Sequence, residues 1–267
     1  MINILIPTDF SDNAKQAADF AFTFFNKNGV HFHLVHSVIQ PRSSTGMMID
    51  LNQIMLDDAD KDLKEEKARL EQKFAPGHPI KTIAKLGYLK DVLKMASREY
   101  GAKLIVMGTK GENSLSDKIL GSNTEQIIRK NNLPVLAVPA GFVPNKNPNV
   151  CVATNEENIP KAEELSAILD ALESANHCHF SVLNVLTNGA ERAAKSIKLG
   201  NMQVGVQAVH AATPEEGIQV YIENKPLDML VVYHKHNSRF DYFFSRSTTK
   251  KLAGQVEIPL LVIPYLD

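Results

Sequence analysis

Short apolar runs alternate along this chain with stretches of helical periodicity, and the whole series is written twice. Ile2 to Pro7 (Ile-Asn-Ile-Leu-Ile-Pro) is an apolar run rich in β-branched residues, the mark of a buried strand. Between Asp12 and Phe25, residues Ala14, Ala17, Ala18, Phe20, Ala21 and Phe24 recur at helical spacing. A second strand is predicted at His31–Val38, followed by a polar, Met-containing loop over 40–52. A charged helix over roughly 53–74 carries acids and bases at i,i+3 and i,i+4, suited to a solvated face. Ile80–Leu86 then reads as a third strand, 89–99 as a helix, and Leu104–Met107 as a fourth strand with no polar interruption. A helix near 122–131 and a strand at Pro134–Pro139 complete the first series.

Residues 141–148 hold the Gly, Pro and Asn of a linker, and the cycle restarts at 149. Strands are predicted at Val150–Ala153, His179–Val185, Gln203–Val209, Met229–Val232 and Pro259–Pro264, with helices near 160–174 and 214–223. Two segment pairs carry the duplication. His31-Phe-His-Leu-Val-His-Ser-Val38 matches His179-Phe-Ser-Val-Leu-Asn-Val-Leu186, and Leu133–Pro139 matches Ile258–Pro264. The second copy lacks the 40–52 loop and is shorter after its second strand. A βαβαβαβαβ order predicts a doubly wound parallel sheet of order 3-2-1-4-5, with helices on both faces. The chain is thus expected to be α/β, with two tandem flavodoxin/Rossmann-like domains at 1–140 and 149–267.

Composition narrows the functions. With 29 basic and 30 acidic residues among 267, bulk electrostatic binding to nucleic acid or to a membrane surface is not expected. The opening MINILIPTDF lacks the basic segment and longer apolar run of a signal peptide, and no apolar stretch approaches the roughly 20 residues of a membrane span. Cys151 and Cys178 form no metal-spaced motif. They read as small core hydrophobes, and a cytoplasmic location is expected. The pairs His31/His33, His177/His179 and His234/His236 would each face one side of a strand. Zinc ligation by two such pairs is one reading. Surface histidines are the plainer one, because two pairs lie at strand beginnings without an acidic or Cys companion.

Ligands of open parallel sheets bind beyond the strand carboxyl ends, where strand order reverses. Here that point lies between strands one and four. After strand one come Thr8 and Asp9, then Ser11 and Asp12 as candidate helix N-caps. Asp9 sits early for a cap, and its carboxylate would accept from a sugar hydroxyl or base amine. After strand four stand Gly108 and Gly111, then Gly121 and Ser122 at a helix start. Two glycines three apart let the backbone approach a ligand, and the helix N-terminus offers unpaired N–H groups to an anion. Ser122 or Asn123 as an ordinary N-cap is the bland alternative.

The spacing G-x2-G-x9-G-[ST] at Gly108, Gly111, Gly121 and Ser122 resembles the ATP-binding motif of the universal stress proteins. Ile4-Leu-Ile-Pro-Thr-Asp-Phe-Ser11 and Leu133-Pro-Val-Leu-Ala-Val-Pro139 resemble that family's first and fifth strands. The resemblance covers 1–140 well and 149–266 with degraded motifs. It implies that Asp9 contacts adenosine, with Pro7 and Thr8 shaping the pocket wall. Ser37 or Val38 would hold adenine through the backbone, and Met107 and Gly108 would flank the ribose. Gly111, Gly121, Ser122 and Asn123 would hold phosphates. The implied ligand is ATP, or ADP or AMP, with any Mg2+ riding on the phosphates and no dedicated metal site.

Aligned on the final prolines, Tyr233, His236 and Arg246 replace Gly108, Gly111 and Gly121, Ser247 matches Ser122, and Asn155 stands opposite Asp9. A vestigial second site is expected. The alternative is recognition of a different anion by Tyr233, His234, His236, Arg239 and Arg246. The resemblance implies a stress-response sensor or regulator without catalytic residues. It also implies that the domains form an internal pseudo-dimer through edge strands near Pro134–Pro139 and Pro259–Pro264, with a homodimer of chains as a further option. The competing classes are an interaction module without nucleotide and a slow ATP hydrolase. No GxxxxGK[ST] loop is present, which argues against a P-loop enzyme.

Overall fold

The computed structural model describes residues 2–27, 29–39, 48–74, 80–109, 121–143, 145–154, 162–187, 196–199, 202–235 and 258–265. Its first half runs β1 (Ile2–Pro7), α1 (Asp12–Phe25), β2 (Val30–Val38), α2 (Met48–Phe74), β3 (Ile80–Leu86), α3 (Leu89–Tyr100), β4 (Ala102–Gly108), α4 (Ser122–Lys130) and β5 (Val135–Val138). The second half runs β6 (Asn149–Thr154), α5 (Ala162–Asn176), β7 (His179–Leu186), β8 (Ser196–Leu199), β9 (Met202–His210), α6 (Pro214–Asn224), β10 (Met229–Lys235) and β11 (Leu260–Tyr265).

All strands join one 11-stranded sheet of order β3-β2-β1-β4-β5-β11-β10-β6-β7-β9-β8. Within the first half every pairing is parallel, giving the 3-2-1-4-5 order expected of a doubly wound unit. β9, β7, β6, β10 and β11 repeat that order. The halves meet where β11 runs antiparallel to β5, with Leu260 opposite Ala137, Leu261 opposite Leu136 and Val262 opposite Val135.

Burial on both faces explains the apolar runs. One core layer lies under α1, α2 and α5 and the other under α3, α4 and α6, each continuing from one half into the other. α1 lies close to the sheet because its inner positions include Ala14, Ala17, Ala18 and Ala21. Its phenylalanines fill the flanks, with Phe22 stacked on Phe32 at 4.0 Å and Phe20 on Phe24 at 4.1 Å. α1 also touches α5, where the Lys27 ammonium donates to the Asp170 carbonyl at 3.0 Å. α3 ends at Gly101 in the left-handed conformation, the common helix stop.

Three expectations are corrected. The 40–52 loop is too long, because α2 begins at Met48, and no Pro or Gly interrupts the sequence from there to Phe74. In the second half β8 pairs antiparallel with β9 and adds an outer strand that periodicity alone did not reveal. His33 is not a surface residue: it is 1% exposed, its Nε2 lies 3.0 Å from Asn3 Oδ1, and its ring packs on Tyr100 at 4.5 Å. Burial, then the charges of Lys81 and His31, hold its pKa down to about 4. No group of three metal-ligating side chains occurs among the described residues. Both cysteines are buried, and burial pushes the Cys151 thiol up to about 11, so it behaves as a core hydrophobe.

Candidate functional site

The β1 and β4 strands lie side by side, with Leu5 opposite Ile105, so Pro7 and Met107 end at the same rim of the sheet. Their following helices diverge: α1 packs on one face and α4 on the other. The crevice between the two helix starts is the switch point of a doubly wound sheet. The β2 strand adds its own end, since Pro7 stands opposite Val35, two residues before Ser37.

The turn after β1 combines local hydrogen bonds with two that tie it to β2. Thr8 N–H donates to the Val35 carbonyl at 2.9 Å, and Phe10 N–H donates to Thr8 Oγ1 at 3.0 Å. Asp9 Oδ1 accepts from Ser11 N–H at 3.2 Å and from the Ser11 hydroxyl at 2.6 Å. Ser11 is the N-cap of α1 and accepts from Ala14 N–H at 3.3 Å. Asp9 is therefore not the helix cap but a carboxylate braced against it. Phe10 takes φ +64°, unusual for a residue with a bulky side chain. Its ring stacks on His36 at 4.7 Å, and His36 Nδ1 lies 2.8 Å from the Thr8 carbonyl. Nothing in the local sequence singles out His36, although it directly precedes Ser37.

At the end of β4, Met107 is buried in the layer beneath α3 and α4, so it offers the crevice its backbone rather than its side chain. Gly108 has a reason of its own. A Cβ there would stand 2.5 Å from Asn13 Oδ1 and 3.0 Å from the Asn13 carbonyl oxygen. The glycine admits α1 to the sheet, whatever it offers a ligand. Asn13 is itself buried and donates through Nδ2 to the Val138 carbonyl at 3.4 Å.

Two bonds dock α4 onto this strand end: Gly121 N–H to the Thr109 carbonyl, and the buried Thr124 hydroxyl to the Gly108 carbonyl at 2.9 Å. The N-cap is Gly121 itself, extended at φ −67° and ψ 157°, with no side-chain cap bond. Ser122 and Asn123 are thus the first two helical residues, not the cap that the bland alternative assigned them. Their N–H groups belong to the helix turn that lacks intrahelical acceptors. At the end of β2, the Val38 carbonyl accepts from Gly87 N–H at 2.9 Å.

Pro7, Thr8, Asp9, Ser37, Val38, Met107, Gly108, Gly121, Ser122 and Asn123 therefore lie at the carboxyl ends of neighbouring strands or on the helix docked there. Gly111 lies outside the described residues, as do Asn155, His236, Arg239, Arg246 and Ser247. In the second half, Tyr233 replaces Gly108 on β10 and packs its side chain against the core layer shared with α5.

Fold and site together define a doubly wound α/β protein whose first half presents a glycine-capped helix N-terminus at its switch point. The sequence profile described as the universal stress protein family matches residues 1–139, and the chain belongs to that family. Universal stress protein MJ0577 of Methanocaldococcus jannaschii is 27% identical over 153 residues, covering 51% of this chain and 93% of that protein. The crystal structure of a universal stress protein from Archaeoglobus fulgidus DSM 4304 superposes at a TM-score of 0.69 with 18% identity, over 98% of both chains. A universal stress protein crystallised in complex with cAMP is 23% identical over 51% of this chain and 96% of its own, at a TM-score of 0.40. No described helix is long and apolar enough to cross a membrane.

Proposed function

We propose that the first half binds one adenine nucleotide and that the protein acts as a nucleotide-dependent sensor or regulator in a stress response. The observation carrying this reading is the start of α4, where Gly121 caps the helix without a side chain and leaves the first turn to an outside acceptor. The first-turn N–H groups of Ser122 and Asn123 suit phosphate oxygens. On the family resemblance, Asp9 meets the adenosine, Ser37 and Val38 the base, Met107 and Gly108 the ribose, and Gly111 joins the phosphate cradle. ATP, ADP or AMP fits this arrangement, with Mg2+ carried on the phosphates.

A binding role rather than a dedicated catalytic one is supported by Asp9, whose Oδ1 is already engaged by two Ser11 donors. We also propose that the second half is a built-in partner, an internal pseudo-dimer, because β11 occupies the edge of β5 that a second copy would otherwise cover. Acid release of nucleotide from freshly purified protein, quantified per chain by mass spectrometry, tests the proposal. About one adenine nucleotide per chain is expected, and Gly121→Arg, which fills the cap with a long side chain, should reduce it to background. Absence of nucleotide together with no ATP·Mg2+ binding on titration refutes the reading, as does unchanged affinity in Gly121→Arg.

A further inference from the structure

Phe10 is a bulky residue in a conformation that its own Cβ disfavours, placed directly after the carboxylate of the site. Such a residue persists only where its surroundings hold it. Phe10 N–H is bonded to Thr8 Oγ1 and its side chain packs against the core layer, and His36 adds two further contacts to the turn. A carbonyl oxygen can only accept, so the 2.8 Å contact between His36 Nδ1 and the Thr8 oxygen requires the proton on Nδ1. The same ring lies against Phe10 at 4.7 Å with an interplanar angle of 28°. One imidazole thus grips the turn on both sides of Asp9, through the backbone of residue 8 and the ring of residue 10.

The second half supplies the comparison. The aligned segments pair His36 with Asn184 and Thr8 with Thr154, and Asn184 is the ladder partner of Thr154. Asn184 is 2% exposed, yet its Oδ1 has no hydrogen-bond partner. An asparagine Nδ2 stands as many bonds from the backbone as a histidine Nδ1, so the amide keeps the reach to the strand-end carbonyl but brings no ring to stack on the turn. This half is also the one whose glycines are replaced at the aligned positions.

We infer that His36 is a positioning residue of the nucleotide site: it locks the turn between β1 and α1 so that Asp9 stays braced on Ser11 and faces the crevice. The inference rests on the nucleotide reading above, but its structural half is measurable without ligand. The experiment uses the full-length chain as wild type, His36→Ala, Phe10→Gly and the double variant. Titration calorimetry with ATP·Mg2+ reads affinity. Two-dimensional NMR of the ligand-free protein reads the amides of Asp9 to Ser11 and, in wild type, the Nδ1–H form of the ring.

His36→Ala should shift those amides and weaken ATP binding about tenfold, the equivalent of roughly 1.4 kcal/mol. Because glycine adopts positive φ without penalty, adding Phe10→Gly should recover at least half of that loss on a logarithmic scale. A residue serving stability alone would lower Tm without this rescue. Affinity of His36→Ala within twofold of wild type, or no recovery in the double variant, overturns the inference. Should wild type bind no ATP, the nucleotide reading fails, and the amides decide the rest. Unmoved amides overturn the grip on the turn, and shifted ones uphold it.

Discussion

Replacing Gly108 by alanine separates two reasons for a glycine at the head of the motif. A ligand-facing glycine would tolerate the methyl group in the free protein and lose only affinity. The structure places the new methyl group 2.5 Å from Asn13 Oδ1, 2.8 Å from Asn13 Cγ and 3.0 Å from the Asn13 carbonyl oxygen. The side chain is buried and cannot swing aside without giving up its bond to the Val138 carbonyl, worth about 0.5–1.5 kcal/mol. The carbonyl belongs to α1 and moves only with the helix, and overpacking of that kind costs about 1–3 kcal/mol. A loss of roughly 2 kcal/mol is therefore expected in the ligand-free protein. For a chain of this size that lowers Tm by about 4–8 °C. Thermal and urea unfolding followed by circular dichroism measure it, with nucleotide removed. Asn13→Ala takes away two of the three close atoms, so the double variant should be more stable than the sum of the single losses by about 1 kcal/mol. A melting point for Gly108→Ala within about 1 °C of wild type, or strict additivity with Asn13→Ala, refutes the steric account.

Further outcomes follow from groups away from the crevice. His33 is held neutral well below the ordinary imidazole value, so between pH 6.5 and about 4 the unfolded chain binds a proton that the folded chain refuses. Stability should therefore rise with pH across that window and fall on acidification, by about 2–3 kcal/mol in all. Urea unfolding at pH 7 and pH 4.5 should show a smaller difference for His33→Gln than for wild type, and equal differences would contradict this. Asp228 is 3% exposed and ties down the connection between the halves, accepting from Asn145 N–H at 3.3 Å, Asn145 Nδ2 at 2.6 Å and Asn149 N–H at 2.8 Å. Asp228→Ala should cost about 2–4 kcal/mol in urea unfolding, with Asp228→Asn intermediate, and an unshifted midpoint would show that these bonds contribute nothing.

Much of the architecture was legible because burial on both faces leaves a coarse mark. α1 and β3 begin and end where periodicity puts them, and the 3-2-1-4-5 order follows from alternation of element types. What escaped depends on spatial neighbours. The strand β8 is four residues long, too short for a period of two to stand out. The available signal was Gly200-Asn201, a dipeptide common in two-residue hairpins, between Ser-Ile-Lys-Leu199 and Met202-Gln-Val204, each of which alternates polar and apolar residues. His33 was misread because alternation assigns a face, while its burial comes from Tyr100 of α3 closing over that face. At the site, the switch-point rule for doubly wound sheets directs attention to the residues after Pro7 and Met107. The collision awaiting a Cβ at Gly108 and the grip of His36 on Thr8 and Phe10 both arise between elements and left no local trace.

The antiparallel seam between β5 and β11 also sets a direction. Every strand of the first half points one way, and the five principal strands of the second point the other. The strand-end loops of the two halves therefore open at opposite rims of a single sheet. A nucleotide at one mouth and a partner at the other would never contend for the same surface. One continuous backbone ladder therefore runs between two sets of strand-end loops that face away from each other.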